Sequence, residues 1–278
     1  MQNMVRPCNA HYLDYPLERF CQSMAELDIQ RITLYGCVPH VFLNHHTFDE
    51  IESTAKLLAS FGLHADVFIP GGYGYSIFAE KDSDLQKATS KYLENCICAA
   101  AYLGADTVCI RPQNGILSCN TDELIDNATR ILSELSPLAE TTGVRLAVGT
   151  ALKKDAAAIT EINSLNRILK QTDDSRIGAL LDVHVMNAAA ESIDEWLELF
   201  KDRIFHIFIE DGGKSGRRVP GNGVYPLRHY LSVLEQKHSS AGLTCFLDRK
   251  SALPEKDDQC VKQYFARAED TEAISCLN

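Results

Sequence analysis

No Cys-x-x-Cys pair occurs in this sequence, no apolar run is long enough to cross a bilayer, and positive charge is in short supply. The missing pair spacing excludes a zinc ribbon or a thioredoxin-type redox centre. The ten cysteines then read as reduced thiols, with Cys96, Cys98 and Cys109 behaving as small hydrophobes in apolar stretches. The longest near-apolar stretch, Cys96 to Ala105, is about half of what a span needs, so no membrane partner is expected. Residues Met1 to Arg6 carry no apolar core of a secretory leader, which points to a cytoplasmic protein and makes the sequon Asn127-Ala128-Thr129 a chance match. Lysine and arginine number 27 against 38 aspartates and glutamates, a net charge of −11. Such a surface repels phosphate backbones and anionic lipid, which excludes general nucleic-acid binding. No Gly-x-Ser-x-Gly surrounds Ser76, so a nucleophile elbow is absent. Gly212-Gly213-Lys214-Ser215 resembles the end of a P-loop, but the first glycine that loop requires falls on Phe208. Linkers, low-complexity tracts and composition breaks are also absent, and one domain over residues 1–278 is expected.

What is present is one repeated pattern: a short apolar, β-branched run followed by a longer helical stretch. The runs are 31–35, 65–69, 107–111, 144–148, 177–182, 204–209 and 243–248, with a weaker one at 4–6. Helical patterns lie near 16–27, 47–61, 82–103, 121–142, 158–171, 192–200, 226–239 and 256–274. In 82–103 the 3.6-residue period gathers Leu85, Ala88, Tyr92, Leu93, Cys96, Ala99 and Ala100 on one side. Gly62, Gly104, Gly143 and Gly242 stand where helices stop. Eight strand–helix units in 278 residues predict an α/β fold, a (β/α)8 TIM barrel. A doubly wound open sheet would want a phosphate-binding glycine turn after its first strand, and none is there.

Barrels place their chemistry at the C-terminal ends of the strands, and side-chain alternation shows which residues share a face. Strand six closes on Leu181-Asp182-Val183-His184, so Asp182 and His184 point the same way, and an acid closing an apolar run must face the mouth or be paired; a buried aspartate satisfied by backbone donors is the alternative. In strand seven His206, Phe208 and Glu210 share a face, while Asp211 reads equally as a turn residue. For His206 alone, a core histidine with one hydrogen bond is the simpler reading. Asp248 closes strand eight, and Arg249 and Lys250 compete for it. Arg111 closes strand four and can hold an anionic or hydroxylated ligand, or pair with Asp182 or Asp248. Tyr73, on the glycine-rich loop after strand three, can stack on a sugar ring. Tyr35 and His40, after strand two, stand as ligand contacts. Although His40, His45 and His46 cluster, no acid or cysteine lies beside them at ligand spacing.

Taken in order, several stretches resemble the xylose isomerase-like sugar isomerase and epimerase barrels, most of all the fructoselysine and ketose 3-epimerases. They are Leu34 to His40, Gly72 to Tyr75, Ala101 to Val108, Leu181-Asp182-Val183, Asp202 to Ile207 and Pro220-Gly221-Asn222-Gly223. The resemblance spans nearly the whole chain. It implies a divalent metal held by glutamate, aspartate, histidine and glutamate at the ends of strands five to eight, with both glutamates moving the proton at a sugar carbon. Carried over by position, those ligands fall on Gly149, Asp182, Phe208 and Asp248. The histidine three after the aspartate falls on Val185, next to His184. Glycine and phenylalanine offer a metal nothing. No cofactor is therefore expected, and metal-dependent epimerisation should be lost or impaired. The expectation is a homologue acting on or binding a small carbohydrate of ketose or sugar-amine type, with Asp182, His184 and Asp248 as its catalytic candidates. Tyr35, His40, Tyr73, Arg111, His206, Phe208 and Glu210 would then be its binding candidates. A non-catalytic carbohydrate-binding relative is the alternative, and a homo-oligomer is compatible with either.

Overall fold

The computed structural model describes residues 5–48, 51–72, 74–113, 120–237, 239–247 and 251–275, with side chains up to 266. The apolar runs form parallel strands β1 (Val5–Pro7), β2 (Arg31–Gly36), β3 (His64–Pro70), β4 (Thr107–Ile110), β5 (Arg145–Gly149), β6 (Ile177–Asp182) and β7 (Ile204–Phe208). A short antiparallel pair, β8 (Asp211–Gly213) and β9 (Gly216–Arg218), precedes the last barrel strand, β10 (Gly242–Cys245). The eight-stranded sheet runs β1-β10-β7-β6-β5-β4-β3-β2. A parallel bridge from Cys8 to Thr33 draws its two ends together, so the barrel is nearly closed.

Alternation sorts the strand residues into two cores. Leu34, Phe68, Val108, Leu146, Leu181 and Ile207 pack outward under the helices. Tyr35, Ile69, Cys109, Ala147, Leu180, Phe208 and Phe246 fill the lumen. The helices are α1 (Leu17–Glu26), α2 (Ile51–Ser60), α3 (Asp84–Leu103), α4 (Thr121–Thr142), α5 (Ile162–Thr172), α6 (Val183–Ala188), α7 (Ile193–Phe200), α8 (Leu227–Gln236) and α9 (Pro254–Ser275). Their ends follow local chemistry. Ser83 Oγ accepts from the Gln86 N–H at the start of α3, and Gly104 ends it at φ 80°. Ser192 and Glu195 form a reciprocal cap on α7. Leu85, on the apolar side of the sequence pattern, is exposed in the first turn of α3, beyond the reach of the core.

Three features depart from the sequence pattern. Strand β10 ends at Cys245, and residues 248–250 lie outside the described residues. The six-residue helix α6 follows β6 directly, because the Asp182 carboxylate caps it. The β8–β9 pair was not foreseen, since strands of three residues show no period. Asp258 of α9 accepts from Tyr12 and Ser23 and pairs with His11 Nε2 at 3.0 Å, all buried. That cluster fixes the short 3-10 turn Asn9–Tyr12, which follows β1 and reaches the barrel mouth. Among the described residues no helix is long and apolar enough to cross a membrane.

Candidate functional site at the barrel mouth

Two cavities of similar size open at opposite ends of the barrel. The lower one, about 590 Å³, is lined by Arg6 and Arg31, both of which pair with Asp66. The upper one, about 560 Å³, collects residues just past the strand ends, among them Tyr35, Arg111, Thr150, His184 and Arg217. In this fold the chemistry belongs to the upper end, and its size suits a small ligand.

The centre of the mouth is an arginine between two acids. Asp182 ends β6, and Glu210 follows β7 by two residues, so both carboxylates converge from adjacent strands. Strand β9 carries Arg217 over them. One guanidinium nitrogen of Arg217 donates to Asp182 Oδ2 at 2.6 Å, and the other donates to Glu210 Oε1. The side chains of Arg217, Asp182 and Glu210 are 4%, 2% and 0% exposed, so this bridge is shielded from water. The other oxygen of Asp182 accepts the His184 and Val185 backbone N–H groups at 3.1 and 3.2 Å. Burial by itself raises the Asp182 pKa, but the Arg217 and Arg111 charges outweigh it and hold the carboxyl below its ordinary value.

The register of the small hairpin places the arginine. Arg217 pairs with Gly212, and Arg218 with Asp211. Asp211 is the anchor of this loop: its carboxylate accepts from the backbone of Gly212, Tyr225 and Gly221. Its alternative reading as a turn residue is the one that fits. Tyr225 then meets His184, hydroxyl to Nδ1 at 2.8 Å, and burial pushes its own pKa up to about 12, so its proton stays on at neutral pH.

The structure brings Tyr35, Arg111 and His184 to the cavity wall, with Asp182 and Glu210 behind Arg217. Arg111 lies over the Phe246 ring, 4.8 Å from its centroid, and acts on Asp182 through its charge rather than as the direct partner. Tyr73 and Asp248 lie outside the described residues. Three sequence candidates are absent from the lining of the cavity. Phe208 is fully buried beneath the cavity, stacked on Phe246 at 4.9 Å, and is floor rather than ligand contact. His40 has both ring nitrogens engaged by the protein, Nδ1 with Asn9 Nδ2 and Nε2 with the Tyr15 carbonyl, each at 2.8 Å. It ties the loop after β2 to the turn after β1. His206 lies two residues deeper than Phe208 and bonds Thr244 Oγ1 at 2.7 Å, which is the core-histidine reading. Sequence reasoning missed Arg217, carried by β9, and Tyr225, in the segment that follows β9.

Burial, followed by the charges of Arg6 and Arg145, lowers the His206 pKa to about 3 from an ordinary 6.5. The unfolded chain therefore binds a proton between these values and the native one does not, so stability falls as pH falls through this window. The loss attributable to His206 between pH 8 and pH 5 is about 2 kcal/mol. His206→Asn is expected to flatten that part of the acid limb, read by urea unfolding of both proteins at the two pH values. Parallel curves would refute it.

Of the four positions at which the resemblance would place metal ligands, the three among the described residues do not fit a divalent ion, and Asp248 lies outside them. Gly149 has no donor, and a Cβ built there would already lie 3.2 Å from Leu180 Cδ2. Phe208 presents a ring. Asp182 has both oxygens engaged by Arg217 and by α6. Among the described residues no group of three His, Cys, Asp or Glu side chains is arranged to hold a metal.

A parallel eight-stranded barrel with its polar cluster beyond the C-terminal strand ends defines the class, a TIM barrel with a mouth site. A profile of the xylose isomerase-like TIM barrel matches residues 11–257, and the chain belongs to that family. It is 20% identical over 220 residues to the fructoselysine 3-epimerase of Shigella flexneri, covering 78% of this chain and 79% of the relative. The 3-keto-D-glucoside 4-epimerase of Escherichia coli, in its apo form, superposes with a TM-score of 0.78 at 16% identity, over 96% of this chain and 99% of that one. D-psicose 3-epimerase of Clostridium cellulolyticum H10, solved with D-tagatose, gives 0.75 at 13% identity, over 98% and 99%.

Proposed function

We propose that this chain is a sugar isomerase/epimerase homologue that acts on or binds a small carbohydrate of ketose or sugar-amine type in the mouth cavity, with the divalent-metal site that the resemblance implies lost or rebuilt. The carrying observation is the buried bridge from Arg217 to Asp182 and Glu210, which commits these two carboxylates to an internal cation. The cavity still offers what a polyol needs: guanidinium donors from Arg111 and Arg217, a histidine, and the aromatic wall of Tyr35 set edge-on to Phe246 at 5.6 Å.

The test is ligand-dependent thermal stabilisation across a panel of ketoses and sugar amines, with and without EDTA. At a sugar concentration of one hundred times Kd the expected gain is about 2.7 kcal/mol, unchanged by the chelator. Stabilisation that EDTA abolishes would overturn the reading. A second reading, that the homologue is still an enzyme by metal-free acid–base chemistry, is favoured by the contact of Tyr225 with His184, a residue of the cavity wall. Hydrogen exchange at the sugar carbon in D2O decides between the two: exchange that His184→Gln abolishes favours the enzyme, and binding without exchange favours the non-catalytic homologue.

A further inference from the structure

We propose that Arg217 is a resident cation that closes the barrel mouth to divalent metals, so that the capacity to bind one is latent in Asp182 and Glu210 and is blocked by this side chain. The inference rests on the reading of the mouth as a metal-free carbohydrate site, and its test reads metal rather than sugar, so either can fail alone.

Three observations carry it. First, the two carboxylates converge on a single guanidinium from the ends of adjacent strands β6 and β7. Second, the position is already taken. An ion on Asp182 Oδ2 would sit about 2.0–2.2 Å from that oxygen, while the Arg217 nitrogen is 2.6 Å away from the same atom. The second oxygen accepts two backbone N–H groups, so a metal cannot move round to it without uncapping α6. Third, the blocking charge is permanent. Arginine does not lose its proton in proteins, and this one is 4% exposed and held from two sides. A histidine in its place could yield to a metal by deprotonating. A planar fork shared between two carboxylates is the arrangement that arginine forms best.

The test is Mn2+ titration of the full chain, followed by loss of the free-ion electron paramagnetic resonance signal. Wild type is expected to bind no stoichiometric Mn2+ at millimolar concentration. Arg217→Met and Arg217→Gln are expected to bind one equivalent at least 100-fold more tightly than wild type, whereas Arg217→Lys, which keeps the charge, should behave like wild type. Wild type binding one equivalent at micromolar concentration would overturn the proposal, as would neutral variants that fold yet bind no better. If neither neutral variant folds alone, folding rescued by Mn2+ supports the proposal, and failure to fold in its presence counts against it.

Discussion

Arg217→Met is expected to lose about 3–5 kcal/mol of stability at pH 7, because it leaves two buried carboxylates facing each other with their bridging charge gone. The magnitude follows from burial rather than from the number of bonds. An exposed pair such as Lys56–Glu52 contributes little, since water screens both partners whether or not they meet. Asp182 and Glu210 are 2% and 0% exposed, and removal of the guanidinium gives them no solvent in exchange. The effect should therefore be strongly non-additive. Asp182→Asn in the Arg217→Met background removes one of the stranded charges while keeping an oxygen for the α6 cap, and should recover part of the loss. A double-mutant cycle by urea unfolding is expected to give a coupling of about 1–3 kcal/mol. A single-variant cost below 1 kcal/mol with additive behaviour would show that water reaches the pair.

Most of the barrel was legible in the sequence because parallel strands buried on both faces read as short apolar runs, and because helices α3 and α4 are stopped by glycines that the pattern marks. The surroundings of Asp182 were legible for a related reason: an ionisable residue closing an apolar run must face a mouth or a partner, and here its partner is Arg217. Arg217 was not. The strands that carry it are three residues long, too short for alternation to show. Its neighbour Arg218 looks identical in sequence, and only the hairpin register sends one arginine inward and leaves the other exposed. The surroundings of the histidines were not legible for a different reason. His40 and His206 are candidates by side-chain type, but role depends on burial and on whether both ring nitrogens are engaged, and neither property has a local signature.

Phe208→Ala is the second large effect expected, a loss of about 3–5 kcal/mol. The ring is wholly buried in the lumen, stacked on Phe246 at 22° between planes and met edge-on by His206 at 5.9 Å. Removing it opens a void that the closed strands β6, β7 and β10 cannot collapse to fill, because their backbones are fixed by the ladder. Phe208→Leu, which keeps most of the volume, should cost less than about 1.5 kcal/mol. The consequence should reach the mouth. Phe246 is the platform beneath both guanidiniums, with Arg111 and Arg217 at 4.8 and 5.4 Å from its centroid. A ring freed to tilt releases the face on which they rest, so Phe208→Ala should also weaken ligand-dependent thermal stabilisation, while Phe208→Leu retains it. If the alanine variant unfolds in urea within 1 kcal/mol of wild type, Phe208 does not fill the lumen, and the packed floor that separates the mouth from the barrel interior is not there.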